Sequence, residues 1–218
     1  MDGNRRWAKE RNLSSFEGHK AGYEKMRQAP EWFFERGVKV LSIFAFSTEN
    51  WNRDREEVNY LMKLLKQVFE ENTEDFNKKG YKILISGKID ELPGDLPESC
   101  LEAINKTLNN QGGILNICLN YGGRAEIVEA VRKMMKNNVA LEQVHEGMIK
   151  KYLYNPELSD PDIIVRTSGE KRLSGFQLWQ GAYSELIFME KYWPEFEERD
   201  VDFILAEYAE RKRRFGGN

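Results

Sequence analysis

Segments of strand-like and helix-like periodicity alternate along the whole chain, and this alternation restricts the fold more than any other feature. Strands separated by helices pair in parallel, because each crossover helix carries the chain back to start the next strand in the same direction. Val38 to Phe46 is rich in β-branched and aromatic residues and follows Gly37, a helix-ending residue, so it predicts a buried strand. Val58, Leu61, Met62, Leu65, Val68, Phe69 and Phe76 recur at helical spacing and predict an amphipathic helix over 55–79, ending before Gly80. Tyr81 to Ile85 predicts the next strand, and the turn-forming Leu92–Asp95 leads into a helix near 97–110. Further strands are expected at Ile114 to Leu119, Asp162 to Val165 and Leu186 to Met189, with a helix opening near Arg124 and a charged helix over 200–214. No repeat, low-complexity tract or long linker interrupts the series. The expectation is one α/β domain over 1–218, with a central, mostly parallel sheet flanked by helices.

One element of that pattern is missing. In an open parallel sheet, ligand-binding groups sit just beyond the carboxyl ends of strands. The polar and basic run from Asp2 to Trp7 has no strand ahead of it, so a first strand is expected before Met1.

Composition removes several classes of function. Lys and Arg total 33 against 36 Asp and Glu, a formal charge of −3, whereas dedicated nucleic-acid-binding domains are strongly basic. At 40% hydrophobic and 12% aromatic residues, the chain can build a core rather than a disordered tail. The longest mostly apolar stretch, Val38 to Phe46, includes Lys39 and Ser42 and falls well short of the ~20 residues of a membrane span. Asp2, Asn4, Arg5 and Arg6 follow Met1 at once and leave no apolar signal region. Cys100 and Cys118, without a CxxC or a neighbouring histidine, read as reduced, buried thiols, and a cytoplasmic location is expected.

Polar chemistry concentrates in three loops. The first is Asp2-Gly3-Asn4-Arg5-Arg6-Trp7-Ala8, followed by His19; the second is Ser47-Thr48-Glu49-Asn50-Trp51-Asn52-Arg53; the third is Arg166 to Ser174. Guanidinium forks, hydroxyls and amides near glycines are the means of holding phosphates. Asp2 with Glu185, at the start of the last strand, offers two carboxylates for one Mg²⁺. Taken singly these residues have plainer readings: the arginines as solvated groups, Trp7 and Trp51 as packing, His19 as structural, Asp2 as a helix cap. Three such loops at three strand ends, however, face one crevice of a parallel sheet, which favours a Mg²⁺-assisted phosphate or diphosphate enzyme.

DGNRRWA, GHKAG (Gly18 to Gly22), FSTENWNR, NYGGR (Asn120 to Arg124), IVRTSGEKRLS, LWQGAYSELIF (Leu178 to Phe188), YWPEF and the terminal RRFGG occur in collinear order over essentially the whole chain. Together they resemble the cis-prenyltransferases, whose best-known members make undecaprenyl diphosphate. No DDxxD is present, which sets the chain apart from the trans-prenyl synthases. The resemblance implies elongation of an allylic diphosphate, commonly farnesyl diphosphate, with isopentenyl diphosphate. It implies that Asp2 engages Mg²⁺ and the diphosphates, and that Gly3, Asn4, Arg5, Arg6, Trp7 and His19 surround the allylic diphosphate. Ser47, Thr48, Glu49, Trp51 and Arg53 match substrate-contacting positions, and Asn50 matches the residue assigned as proton acceptor, although an amide is a poor base and better suited to orienting one. Arg166, Arg172, Leu173 and Ser174 match the isopentenyl diphosphate site, and Glu185 the second metal ligand.

The same resemblance implies a hydrophobic tunnel between sheet and helices, with Phe44, Phe46, Leu61, Leu65, Phe69, Ile83, Ile85, Leu115 and Ile117 as candidate lining or plain core. It further implies a homodimer whose C-terminal tail (Arg214-Phe215-Gly216) reaches the neighbouring site, and peripheral contact with the inner face of the cell membrane for product release. Two positions depart from the family pattern: Arg5 replaces the second glycine of the first loop, and Ser15 replaces an arginine four residues before His19. A non-catalytic partner subunit is the alternative in kind, but such subunits lose the motif residues that are present here. A nucleic-acid binder using Arg5, Arg6, Lys9 and Arg11 is disfavoured by the acidic balance.

Overall fold

The structure, a computed structural model, describes residues 1–211. The predicted helix beyond Arg211 and the tail at Arg214–Gly216 therefore lie outside the described residues. α1 (Asn4–Glu10) leads to α2 (Ser15–Glu35), then β1 (Val40–Ser47), α3 (Arg55–Lys78), β2 (Tyr81–Ser86), α4 (Leu96–Thr107) and β3 (Gly113–Tyr121). α5 (Gly123–Lys136), α6 (Glu146–Tyr152), β4 (Ile163–Arg166), β5 (Glu185–Phe188) and α7 (Glu198–Glu210) complete the order. The expected strands and the long helix all form, with small shifts at their ends: β1 starts at Val40 rather than Val38, and α4 stops at Thr107 rather than 110.

Periodicity alone assigns no element to Ser15–Glu35, because Gly18, Gly22 and Pro30 interrupt it. Ser14 nevertheless starts a helix there: its hydroxyl accepts from the Glu17 amide at 3.3 Å, and the Glu17 carboxylate accepts from the Ser14 amide at 2.8 Å. The two glycines let α1 lie directly on α2. A Cβ at Gly18 would stand 2.2 Å from the Asn4 carbonyl oxygen, and one at Gly22 2.5 Å from Asn4 Oδ1.

Every strand pairing is parallel, as expected. β3 lies between β1 and β2, and Ile117 faces Ile43 on one side and Ile85 on the other. β3 is buried almost throughout, as a strand covered on both faces must be. α2, α3 and α4 close one face around Met26, Val68, Phe69, Ile83, Leu115 and Ile117. β4 and β5 form a separate parallel pair, so the sheet is in two parts among the described residues. Both cysteines are free and buried, and burial pushes the Cys100 thiol up to about 12. Among the described residues no helix is long and apolar enough to cross a membrane.

Candidate active site

The carboxyl ends of β1 and β4 open into one cleft of about 1600 Å³, and the first residues of the chain tie its two sides together. On the β4 side, the Asp2 amide donates to Thr167 Oγ1 at 3.0 Å and the Thr167 hydroxyl donates back to the Asp2 carbonyl at 2.9 Å. On the β1 side, Glu57 on α3 gathers Arg53 at 3.0 Å, His19 at 2.8 Å and Arg5 at 3.7 Å. Asp2, Gly3, Asn4, Arg5, Arg6 and His19 line the cleft. So do Ser47, Glu49, Asn50 and Arg53 from the loop after β1, and Arg166, Arg172, Leu173 and Ser174 from the loop after β4.

Gly3 is where the chain must bend. Its φ is +101°, and a Cβ there would stand 2.6 Å from the Tyr192 ring and 2.9 Å from Ser168 Cβ, so only glycine fits. The bend sets the Asp2 carboxylate beside Arg166, with Nη2 to Oδ2 at 2.9 Å, while Oδ1 accepts from the Gly3 amide at 2.7 Å. Burial acts to raise the Asp2 carboxyl, but the hydrogen bonds from Arg166 and Gly3 outweigh it and hold the group below the ordinary carboxylate range. Arg6 donates to the Ser168 carbonyl and hydroxyl at 3.2 and 2.6 Å and pairs with Glu170 at 3.0 Å. Arg172 also pairs with Glu170, and Arg166 donates to Ser174 Oγ at 2.9 Å and to the Arg172 carbonyl. Ser168 and Ser174 take positive φ values of 73° and 49°, so the loop that presents these groups is conformationally costly.

Burial lowers the His19 imidazole, against the pull of Glu57, so the ring is neutral near pH 7. Burial opposes ionisation of Glu57 too, but His19, Arg53 and Arg5 prevail and keep it an anion. Asn50 Oδ1 accepts from the Ser47 amide at 3.1 Å. That lone-pair direction is committed to shaping the loop, which fits an orienting amide better than a proton acceptor.

Four of the expected site residues stand apart from the cleft lining. Trp7 lies outside the cleft, with the Arg11 guanidinium 4.8 Å above its ring. Thr48 also lies outside it, packed against Gly122, where a Cβ would stand 2.6 Å from the threonine hydroxyl. Trp51 turns away to donate to Asn120 Oδ1 at 2.8 Å and to stack edge-on against Phe46. Glu185 begins β5, while Asp2 sits past the carboxyl end of β4. Within one chain the two carboxylates stand at opposite ends of the β4–β5 pair, and Glu185 pairs with Arg211 at 2.9 Å. Of the proposed tunnel residues, Phe44 and Leu61 line the cleft; Phe46, Leu65, Phe69, Ile83, Ile85, Leu115 and Ile117 fill the packed core. Their periodicity marks them as buried without saying against what.

Sequence reasoning passed over Glu57, Thr167 and Glu170. Glu57 carries a readable signal, four residues after Arg53 on one helix face; Thr167 and Glu170 stand inside the recognised third loop.

Among the described residues no group of three or more His, Cys, Asp or Glu side chains is placed to hold a metal ion. The Asp2 carboxylate, ionised and beside Arg166 and Arg6 in the cleft, fits a Mg²⁺ whose remaining ligands would be diphosphate oxygens and water.

Comparison with known proteins gives a consistent picture. Residues 1–216 match the prenyltransferase family model described as "Putative undecaprenyl diphosphate synthase". An isoprenyl transferase of Fusobacterium nucleatum is 44% identical over 217 residues, covering 100% of this chain and 93% of that protein. A farnesyl-diphosphate-specific ditrans,polycis-undecaprenyl-diphosphate synthase of Micrococcus luteus is 40% identical, covering 100% of this chain and 89% of its own. The crystal structure of lavandulyl diphosphate synthase from Lavandula x intermedia, in complex with dimethylallyl diphosphate, superposes with a TM-score of 0.95 at 31% identity, covering 100% of this chain and 95% of that one.

Proposed function

The chain belongs to the undecaprenyl diphosphate synthase family of prenyltransferases, and from that premise we propose that it condenses isopentenyl diphosphate with an allylic diphosphate, farnesyl diphosphate first among them, to give a Z-polyprenyl diphosphate such as undecaprenyl diphosphate. The observation that carries this reading is that three arginine-bearing loops and the Asp2 carboxylate line one cleft whose wall continues into apolar Phe33, Leu41, Ile43 and Leu61.

Arg5 and Arg6 flank the allylic diphosphate. As the allylic C–O bond breaks, charge grows on the departing diphosphate, and guanidinium groups fixed beforehand stabilise it without reorganising. Arg166, Arg172 and Ser174 hold isopentenyl diphosphate so that its terminal alkene carbon meets the allylic carbon. The new C–C bond forms there as the allylic C–O bond breaks, and positive charge falls on the methyl-bearing carbon next to it. The proton lost from the methylene beyond that carbon goes to an oxygen of the departing diphosphate, with Asn50 orienting the acceptor. When bound, Mg²⁺ held by Asp2 and diphosphate oxygens adds positive charge beside the leaving group. The growing tail moves into the apolar part of the cleft past Phe33, Leu41, Ile43 and Leu61. At ~0.8 kcal/mol per buried carbon, each five-carbon unit contributes about 4 kcal/mol toward holding it there.

Exposed Tyr183, Leu186 and Phe203, on and around β5 and α7, support a homodimer built through this side of the chain. The hydrocarbon product supports peripheral contact with the cytoplasmic face of the membrane at release. The test is to incubate the protein with Mg²⁺, labelled isopentenyl diphosphate and dimethylallyl, farnesyl or geranylgeranyl diphosphate, and to size the products. Z-polyprenyl diphosphates that vanish on adding EDTA are expected; no elongation with any primer, or full activity in EDTA, overturns the reading.

A further inference from the structure

We propose that the turn closing β3, Asn120 to Gly123, fixes the spacing between the two loops that follow β1 and β4, with Asn120 as the positioning residue that aims Ser47–Arg53 at the substrates. What the loops hold rests on the reading above; the link between them is a matter of geometry.

β1 and β3 are parallel neighbours that end level, with Ser47 opposite Tyr121, so the segments that leave them start side by side. Asn120 to Gly123 lie outside the cleft lining, yet they touch both loops that supply it. Toward the loop after β1, Trp51 Nε1 donates to Asn120 Oδ1 at 2.8 Å. Gly122 lies so close to Thr48 that a Cβ would stand 2.6 Å from the threonine hydroxyl oxygen. Toward the loop after β4, the Gly123 amide donates to the carbonyl of Gly175, the residue after Ser174, at 2.7 Å. A Cβ on Gly123 would stand 2.9 Å from Leu178 Cγ. Between the two contacts Tyr121 is buried and its hydroxyl donates to Glu126 at 2.6 Å, which pins the turn from behind.

The residue types suit this use. Asn120 is 2% exposed and takes a φ of +48°, a left-handed conformation that asparagine tolerates better than most side chains. Its Nδ2 donates to the Lys88 carbonyl at 2.9 Å, which turns Oδ1 toward the indole. Trp51 remains 37% exposed, so burial alone does not fix its ring.

The effect falls on the other side of the loop. Thr48 and Trp51, three residues apart on the single helical turn Thr48–Asn52, face β3, while Ser47, Glu49, Asn50 and Arg53 line the cleft. One helical turn moves as a unit, so the contacts that hold its back aim its front. A displacement of ~1 Å at a group that orients the reaction can cost ~10² in rate. Two residues that the family pattern places against substrate therefore act one step behind it.

The test begins with Asn120→Gly, which removes the side chain without straining the backbone, and Trp51→Phe, which removes only the indole donor. Each is expected to lower kcat about tenfold or more with a smaller change in either KM. The double variant should be no slower than the slower single one, because both cut the same link. The chain has five tryptophans, and Trp51→Phe assigns the Trp51 indole N–H in a nitrogen–proton correlation spectrum. In Asn120→Gly that signal should shift while the other four stay in place. Gly123→Ala pushes on the other loop and should raise KM for isopentenyl diphosphate about tenfold, with the Trp51 signal unmoved. Unchanged kcat in Trp51→Phe, additive losses in the double variant, or a Trp51 signal untouched by Asn120→Gly overturns the proposal. If the unmodified protein elongates no primer, the assigned reaction falls and the positioning role with it. If it elongates and the variants match it, the positioning role alone falls.

Discussion

Asp2 meets Arg166 in the cleft, where the proposed reaction brings metal and diphosphate together. Asp2→Ala is expected to lower kcat by at least ~10²–10³, the usual loss on removing one preorganised charge-stabilising group, measured by steady-state turnover at saturating Mg²⁺. Because the folded carboxyl is held below its ordinary range, the ionised form and the stability it contributes are complete above that range. Both are lost only as pH falls through the depressed value, so the acid limb of kcat/KM should lie on the acid side of the ordinary carboxylate range. Glu57 acts through its neighbours. Glu57→Gln keeps the shape but removes the anion that aligns Arg5, His19 and Arg53. A hydrogen bond to a charged group is worth ~1.5–3 kcal/mol, so KM for the allylic diphosphate should rise roughly tenfold or more while kcat changes less. Arg5 and Ser15 line the same cleft, and Arg5 makes only a 3.7 Å contact with a carboxylate that two closer partners already occupy. Arg5 is thus free to take the diphosphate contact that the family's arginine makes from position 15. Arg5→Gly should raise that KM about tenfold, and adding Ser15→Arg should restore it, on the same charge-assisted scale. Failure of the double variant to recover would place the contact elsewhere.

The elements that build the core announce themselves in the sequence, whereas the way they are joined does not. β3 reads as an unbroken apolar run because both its faces are covered, and α3 shows its stripe because one face packs on the sheet. α2 is hidden by the glycines that let α1 approach, although the Ser14–Glu17 pair marks its start. Arg53 and Arg166 follow from the rule of strand ends, whereas Asp2 and Arg6 are legible only from the polar density of the first loop. Glu185 begins a strand instead of following one, Trp7 lies on α1, and Thr48 and Trp51, three residues apart on the single helical turn Thr48–Asn52, share a face turned from the cleft. Loop motifs fix which residues are near one another in sequence, not which way a one-turn helix faces them. Element-level energetics can be tested at the outer edge of β2. Thr107 is fully buried and its hydroxyl is the partner of the Ile83 amide, so Thr107→Val keeps the volume but strands a buried N–H. A loss of ~1–3 kcal/mol in unfolding free energy is expected, read by urea denaturation, with kcat unchanged because neither residue touches the cleft.

At the scale of the whole molecule the open question is which chain completes which site. Arg211 is held at the start of β5, with Nη1 to Glu185 at 2.9 Å and to the Leu186 carbonyl at 3.0 Å. That is the end of the β4–β5 pair opposite Asp2 and the loop of Arg166 to Ser174. The seven residues that follow, Lys212 to Asn218, extend at most ~25 Å at ~3.5 Å each. Crossing back over a four-residue strand pair takes ~13 Å before any detour around side chains. Reach alone therefore permits a tail that serves its own site as well as one that serves the neighbour, and the family resemblance favours the neighbour. Deleting residues 214–218 should leave the melting temperature and the proposed dimer unchanged, because the deletion lies beyond the Arg211 anchor, yet reduce kcat/KM for isopentenyl diphosphate by about 10²-fold if Arg214 contributes a charge-assisted contact. Mixing this truncated protein with Asp2→Ala separates the two arrangements. If the tail crosses, one site of each mixed dimer combines an intact Asp2 with an intact tail, and activity returns toward a quarter of wild type at equal mixing. If each tail serves its own chain, every site in the mixture carries one defect, and activity stays at the level of the parents even after subunit exchange is demonstrated by mass-tagged chains.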